Sequence, residues 1–99
     1  MNSYIIIYRA GPDPIPEDKV QENRQAWRTW SINLHEKYGI HTSRGKTVSS
    51  DGTVVDYDGN FRGASMIEAD SLEAAVEIAM KAPNLPYGGS VDVLEEYSR

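Results

Sequence analysis

Apolar residues are concentrated near the start of the sequence and recur with helical spacing further along it. Residues 4–8 read Tyr-Ile-Ile-Ile-Tyr, a β-branched and aromatic run that predicts a strand. Because both alternating sets of positions are apolar, the strand is expected to be buried on both faces. Residues 11–14 read Gly-Pro-Asp-Pro, which predicts a turn after this strand.

A first helix is predicted from Pro16 to about Tyr38. Proline suits a first helical turn, and the two acidic residues that follow it are favourable beside the helix dipole. Gly39 is the expected C-terminal cap. The apolar residues that recur at helical spacing form one stripe: Val20, Trp27, Trp30, Leu34 and Tyr38.

Short segments with β-branched residues occupy positions 40–57. Asp51 and Gly52 stand between Thr-Val and Thr-Val-Val and predict a hairpin with a two-residue turn. His41 is expected to open the second strand of the fold. A second Asp-Gly pair at positions 58–59 predicts another turn, which leads into a strand ending near Ala69.

A second helix is predicted after this strand. Asp70 is the expected N-cap, and Glu73 completes a capping-box pattern with it. Lys81 falls in the expected last turn, and Pro83 stops the helix. Its alanine-rich face would allow close packing on a sheet, and residues 90–95 predict the last strand.

The predicted order of elements is βαββαβ, which indicates an α+β fold, a ferredoxin-like sandwich with an antiparallel sheet. Both helices of that fold cover one face of the sheet. Apolar residues predicted for both faces would leave a large exposed surface on a monomer, and a homodimer through the open face is therefore expected. The residues behind this expectation are Tyr4, Ile6, Tyr8, Met66 and Leu94.

Composition limits the classes of function. The 99 residues predict a single domain over 1–99, and the absence of cysteine excludes disulfides and thiolate chemistry. A net charge of −5 disfavours nucleic-acid binding, which needs a basic face. The longest apolar run is too short to span a membrane and lacks the basic start of a signal peptide, so a cytoplasmic location is expected.

Several segments of the chain match one known family when taken in order. They are residues 4–8, Trp27-x-x-Trp30-x-x-x-Leu34, Gly39 with Gly45, Asp58-Gly59-Asn60-Phe61, residues 67–75 and residues 88–93. Together they resemble the YCII-related family, also called DGPF-domain proteins, over nearly the whole chain. The resemblance implies a dimeric α+β barrel with a cleft near the dimer interface, and a dehydrochlorinase-like activity on a chlorinated hydroxyquinol.

Two departures from the family pattern bear on function. The Asp-Gly-Pro-Phe motif has asparagine at position 60 in place of proline, and the acidic and basic segment that usually follows is missing. Shorter members carry a histidine on the first helix that pairs with an aspartate. The histidine position falls on Trp27 here and the aspartate position near Asp51, so this dyad is not present in that form.

The candidate catalytic residues are His41 and Asp51. His41 belongs to the residue type best suited to proton transfer and could act as a general base, or it could be an ordinary surface or capping histidine. Asp51 either corresponds to the family's acidic residue or serves its Asp-Gly turn. His35 and His41 lack the spacing of a helical zinc site, and no metal or cofactor is expected.

The candidate ligand-binding residues are Tyr8, Arg9 and Trp27. The tryptophan could line an aromatic cleft, or it could be part of the core. Arg9, Arg44 and Arg62 stand at strand ends or turns and could hold an acidic group bidentately, or they could be solvated surface residues. These residues predict a homodimer that binds a small cyclic or aromatic acid near its interface. The alternative is a lyase or isomerase that uses His41 or Asp51 for acid–base chemistry.

Overall fold

The computed structural model describes residues 2–97. Short 3-10 turns at Glu17–Lys19 and Leu85–Tyr87 precede the first helix and the last strand. The strands are β1 (Asn2–Arg9), β2 (Tyr38–His41), β3 (Lys46–Val48), β4 (Val54–Asp56), β5 (Phe61–Ala69) and β6 (Ser90–Glu95), and the helices are α1 (Val20–Leu34) and α2 (Leu72–Ala79).

Four of the strands form one antiparallel sheet in the order β2-β5-β1-β6. The long apolar run of β1 therefore lies in the middle of the sheet, hydrogen-bonded on both edges. The order and directions are those of the ferredoxin-like α+β fold, which confirms the predicted fold class. Strands β3 and β4 form a separate hairpin inserted between β2 and β5. Within residues 2–97, neither helix is long and apolar enough to cross a membrane.

The face of the sheet under the helices contains the core. Tyr4 and Ile6 are buried there almost completely, at 1% and 0% exposure, and Ile67 lies opposite Tyr4 on β5. Small side chains of α2, Ala75 and Ala79, are buried against them, so the alanine-rich face does pack closely. Helix α1 has no fully buried residue, and its half-buried members Trp27, Trp30 and Leu34 pack on the edge of this core.

The opposite face of the sheet is apolar as well, but through different residues than the sequence indicated. Tyr4, Ile6 and Tyr8 all point to the helices, so only Met66 and Leu94 of the expected set lie on the uncovered side. We call this side the open face. The strand register places these apolar residues on it: Ile5, Ile7, Tyr38, Ile40, Ala64, Met66 and Leu94.

Helix α1 is shorter than predicted at both ends. A 3-10 turn follows Pro16, and the α-helix begins only at Val20. Its C-cap is His35, with φ 53° and ψ 44°, and not Gly39. Tyr38 continues the helical spacing of Leu34, but it belongs to β2, where it lies opposite Met66 of β5. Pairing with the sheet thus overrides the local helical pattern, and His41 closes β2 instead of opening it.

The N-cap of α2 is Ser71, one residue after the predicted Asp70. Ser71 has extended backbone angles, and its hydroxyl accepts a hydrogen bond from the backbone N–H of Ala74 at 3.1 Å. Asp70 is exposed and precedes the cap. Glu73 is therefore the second helical residue and does not complete a capping box with Asp70. The helix ends at Ala79, so Lys81 lies beyond it.

The position of this cap gives a first prediction. Ser71→Ala is expected to reduce the free energy of unfolding by about 1 kcal/mol, because it removes the acceptor for the Ala74 N–H. Asp70→Ala is expected to cost less, since its carboxylate only interacts with the helix dipole. Urea unfolding of both variants measures the difference. A larger loss for Asp70→Ala would show that the helix starts one residue earlier.

The hairpin predicted around Asp51 and Gly52 is present, but its turn contains three residues. Ser49 and Thr53 are the last hydrogen-bonded pair, and the N–H of Gly52 donates to the carbonyl of Ser49 at 2.9 Å. Gly52 has φ 90°, a conformation that favours glycine. The turn is thus one residue longer than the two-residue form that the Asp-Gly pair suggested.

Candidate functional site

A cleft of about 830 Å³ lies at the end of the sheet where β1 ends. It is bounded by that strand end, helix α1, the loop after β1 and the segment before β6. The cleft contains four of the residues predicted for the site: Tyr8, Arg9, Trp27 and His41. Its other lining residues are Ala10, Gly11, Pro12, Asp13, Pro14, Ile15, Asn23, Arg24, Arg28, Arg62, Asn84 and Tyr87.

Tyr8 is the last buried residue of β1 and forms the inner wall of the cleft. Its hydroxyl donates to Ser65 Oγ at 2.7 Å and accepts from Trp30 Nε1 at 2.9 Å. Burial raises the pKa of this phenol above its ordinary value, although both hydrogen bonds act in the opposite direction. The hydroxyl is thus fully engaged, and the residue offers a ligand its aromatic ring instead of a mobile proton.

The two tryptophans of α1 have different surroundings. Both contact the ring of Tyr8 edge-on, with ring centroids 5.0 Å away for Trp27 and 6.5 Å away for Trp30. Trp27 lines the cleft, whereas Trp30 faces a groove between the two helices, beside Leu34 and Ile78. Trp27 is therefore the tryptophan that a ligand in the cleft would touch.

Arg9 is held in place by two neighbours. Its Nε lies 2.9 Å from Asp92 Oδ2, and its Nη1 donates to Asn60 Oδ1 at 2.9 Å. The hydrogen bond with Asp92 raises the pKa of the guanidinium above its ordinary value. Asn60, which departs from the Asp-Gly-Pro-Phe motif, thus positions the arginine. Guanidinium has five N–H donors, so three remain for a ligand.

Three further arginines line the cleft and take part in no ion pair within residues 2–97: Arg24, Arg28 and Arg62. Arg24 and Arg28 are one helical turn apart on α1, with Trp27 on the same side. Only Arg62 among these three was a candidate from the sequence. The spacing of 24, 27 and 28 was the available signal for the other two, since positions three and four apart share one helical face.

The segment before β6 fixes the floor of the cleft. The Asn84 side chain donates from Nδ2 to the carbonyls of Arg9 and Ser90, both at 2.9 Å. Gly89 lies so close to the end of β1 that an added Cβ would be 2.6 Å from the Arg9 carbonyl oxygen. Glycine at position 89 is therefore needed for close backbone packing at this point, and the segment before β6 fixes the end of β1.

The two candidate catalytic residues are not brought together in the cleft. His41 ends β2 opposite Gly63 and is exposed at the cleft wall, and no carboxylate forms an ion pair with it among the described residues. Asp51 lies in the turn of the exposed hairpin and does not line the cleft. Its carboxylate accepts a hydrogen bond from the Thr53 N–H at 2.9 Å.

The environment of Asp51 is that of a turn residue. The side chain of Thr53 is the main cause that lowers the pKa of the Asp51 carboxyl below its ordinary value, through a hydrogen bond to the carboxylate. A hydrogen bond from the Thr53 backbone lowers this pKa further. A carboxylate stabilised in this way is a weak base and stays ionised at neutral pH. Asp58 is placed similarly, since its side chain accepts from the Asn60 N–H at 2.9 Å. Neither geometry resembles an acid–base pair.

Within residues 2–97 no group of three histidine, aspartate or glutamate side chains is placed to hold a metal ion.

Comparison with known protein families gives a match over nearly the whole chain. Among curated protein sequences, none is similar enough to match the chain. The sequence model of the YCII-related domain matches residues 2–96, which includes every strand and helix described above. The chain belongs to the YCII-related family.

Proposed function

We propose that this protein binds a small cyclic or aromatic acid in the cleft at the end of β1. The observation that carries the proposal is the side-by-side arrangement of an accessible indole, Trp27, and arginines without ion-pair partners. Flat rings stack on or against aromatic side chains, and guanidinium groups bind carboxylates with paired hydrogen bonds. A cleft of about 830 Å³ is within the size range of small-molecule sites.

Binding is favoured over catalysis by the state of the titratable groups. A general base has to lie within hydrogen-bond reach of its substrate, and another group usually orients it. His41 has the position but lacks a carboxylate partner, and Asp51 is engaged in a turn away from the cleft. The hydroxyl of Tyr8 is already bonded to Ser65 and Trp30.

The alternative is a lyase or isomerase of the dehydrochlorinase type. It is supported by His41 at the cleft wall, where an imidazole could exchange a proton with a bound acid. His41→Gln distinguishes the two functions. A binding protein keeps its ligand affinity and shows no turnover with either side chain, whereas an enzyme loses a turnover that depends on the ionisation of the histidine.

The proposal includes a second copy of the chain on the open face. The central residues of that face, Ile5, Met66 and Leu94, lie side by side across three strands. Leu94 is 48% exposed in the single chain, and Ile40 and Tyr38 extend the patch to the edge strand. A contiguous apolar surface of this kind is stabilised by covering it, and a two-fold dimer would do so with identical surfaces.

Loss of the Trp27 indole is expected to weaken binding of benzoate and salicylate by about five- to tenfold, the usual effect of one aromatic contact. Calorimetric titration of the wild type and Trp27→Phe measures this change. Trp30→Phe is the matched control, because Trp30 is on the same helix but does not line the cleft. Equal affinity in all three proteins would place the ligand elsewhere, and no binding in any of them would refute the proposed function.

A further inference from the structure

The cleft concentrates positive charge on an acidic chain. The protein has a net charge of −5, yet four of its six arginines line this one cleft. The only acidic side chain among the lining residues is that of Asp13. Asp92 lies beyond the lining and pairs with Arg9, and the other three guanidinium groups form no ion pair within residues 2–97.

These arginines come from two parts of the fold. Arg9 and Arg62 belong to neighbouring strands at the end of the sheet, where the pairing of β1 with β5 shifts between Tyr8 and Arg9. Arg24 and Arg28 belong to α1 and lie on either side of Trp27 along the helix. The cleft therefore has a cationic sheet end and a cationic helix face, and Trp27 belongs to the helix face. Because the two sets of arginines belong to different elements, we expect one anionic group to pair with only one set.

Like charges held near one another repel, and an anion that neutralises only one of them leaves the remainder of that repulsion. A ligand with two separated anionic groups neutralises both sets, and its ring can still contact Trp27. We propose that the cleft selects aromatic ligands carrying two separated anionic groups, such as aromatic dicarboxylates, over ligands with one. This inference rests on the proposed function, because it concerns the same cleft and the same ring contact.

The test uses three probes of similar frame: benzoate with one carboxylate, isophthalate with two separated carboxylates, and phenyl phosphate with its charge in one group. Calorimetry at low salt is expected to give at least about tenfold tighter binding of isophthalate than of benzoate, the effect of one additional charge-assisted contact. Phenyl phosphate is expected to bind more weakly than isophthalate. Added sodium chloride should reduce the isophthalate affinity most, because salt screens exposed charges.

Variants identify the arginines responsible. In the Arg24→Gln, Arg28→Gln double variant the preference for isophthalate is expected to fall to within about threefold of benzoate, because one cationic set is removed. Arg44→Gln, which changes an exposed arginine outside the cleft, should leave the preference unchanged. Circular dichroism checks that both proteins are folded.

The outcomes separate the two claims. If benzoate binds and isophthalate gains nothing, the two-anion inference is wrong and the proposed function stands. Tighter binding of phenyl phosphate than of isophthalate likewise refutes a requirement for separated groups and points to a single phosphoryl group. A preference that survives in the double variant refutes the role of Arg24 and Arg28. If neither benzoate nor isophthalate binds to the wild type, both the inference and the proposed function fail.

Discussion

Ile5→Lys is expected to convert the proposed dimer into monomers. Ile5 is at the centre of the open face, between Met66 on β5 and Leu94 on β6. In a two-fold dimer the substitution would put two ammonium groups into the apolar interface, and each unpaired buried charge costs several kcal/mol. We therefore expect the dimer dissociation constant to rise by at least about a hundredfold. Sedimentation velocity over a range of micromolar concentrations measures it.

Ile32→Lys is the matched control for this experiment. Ile32 is 68% exposed on α1, away from the open face, and the same substitution there changes the net charge equally. Because the wild type is acidic, an added lysine lowers the overall repulsion between copies, so charge alone would not separate the subunits. A wild type that is monomeric at tens of micromolar would refute the dimer. Two dimeric variants would place the interface on another surface.

The fold was predictable because its main signals are local and agree with one another. The run at residues 4–8 is strongly strand-like, and the topology that follows from the order of elements places it in the centre of the sheet. The alternation along that strand did not reveal which side the helices cover, since both sides are apolar. Which of the two faces receives Tyr4 and which receives Ile5 depends on the strand register, which is a property of the folded chain.

The element boundaries that were wrong all depend on contacts between distant segments. Tyr38 fits the helical stripe, but its pairing with Met66 takes it into a strand. The left-handed conformation of His35 is uncommon for a residue other than glycine, so Gly39 was the more natural choice for a cap. Asp70 and Ser71 are both good caps, and only the point where β5 ends selects the second.

The location of the cleft could be reasoned from the order of elements, because the end of β1, the middle of α1 and the end of β2 meet at one edge of the fold. The sequence did not reveal that four arginines line this cleft. Arg24 and Arg28 were not among the candidates, and only the folded chain brings them to the same cleft as Arg9 and Arg62. Asp51 was predicted as a site residue because of the family resemblance. Its Asp-Gly context indicated a turn, and the structure places it in that turn. The roles of these residues in binding or catalysis stay predictions.

Tyr8→Phe is expected to reduce the free energy of unfolding by about 2 kcal/mol. The substitution keeps the ring and its contacts with Trp27, but it removes the hydroxyl that links Ser65 and Trp30. Ser65, which is 4% exposed, and the half-buried N–H of Trp30 then lose this partner, and an unsatisfied polar group in a buried site is costly. Urea unfolding at one fixed protein concentration measures the loss, since the stability of the proposed dimer would depend on concentration.

Tyr97→Phe is the control for this prediction. Tyr97 is 85% exposed, so loss of its hydroxyl should change the stability by less than about 0.5 kcal/mol. Equal effects of the two substitutions would show that the hydrogen bonds of Tyr8 contribute nothing net. In that case the desolvation of the bonded groups would offset the two hydrogen bonds, and the prediction for Tyr8→Phe would be wrong.

High pH gives an independent test of the same hydroxyl. Burial raises the pKa of Tyr8 in the folded protein above the ordinary value of 10.0, so the unfolded chain releases this proton at a lower pH than the folded one. The stabilisation from the neutral phenol is therefore complete below pH 10 and is lost as the pH rises through the folded pKa. Phenylalanine has no such proton, and the stability difference between wild type and Tyr8→Phe should shrink above pH 10. A difference that stays constant to higher pH would mean that the hydroxyl is not held in a buried hydrogen-bonded site.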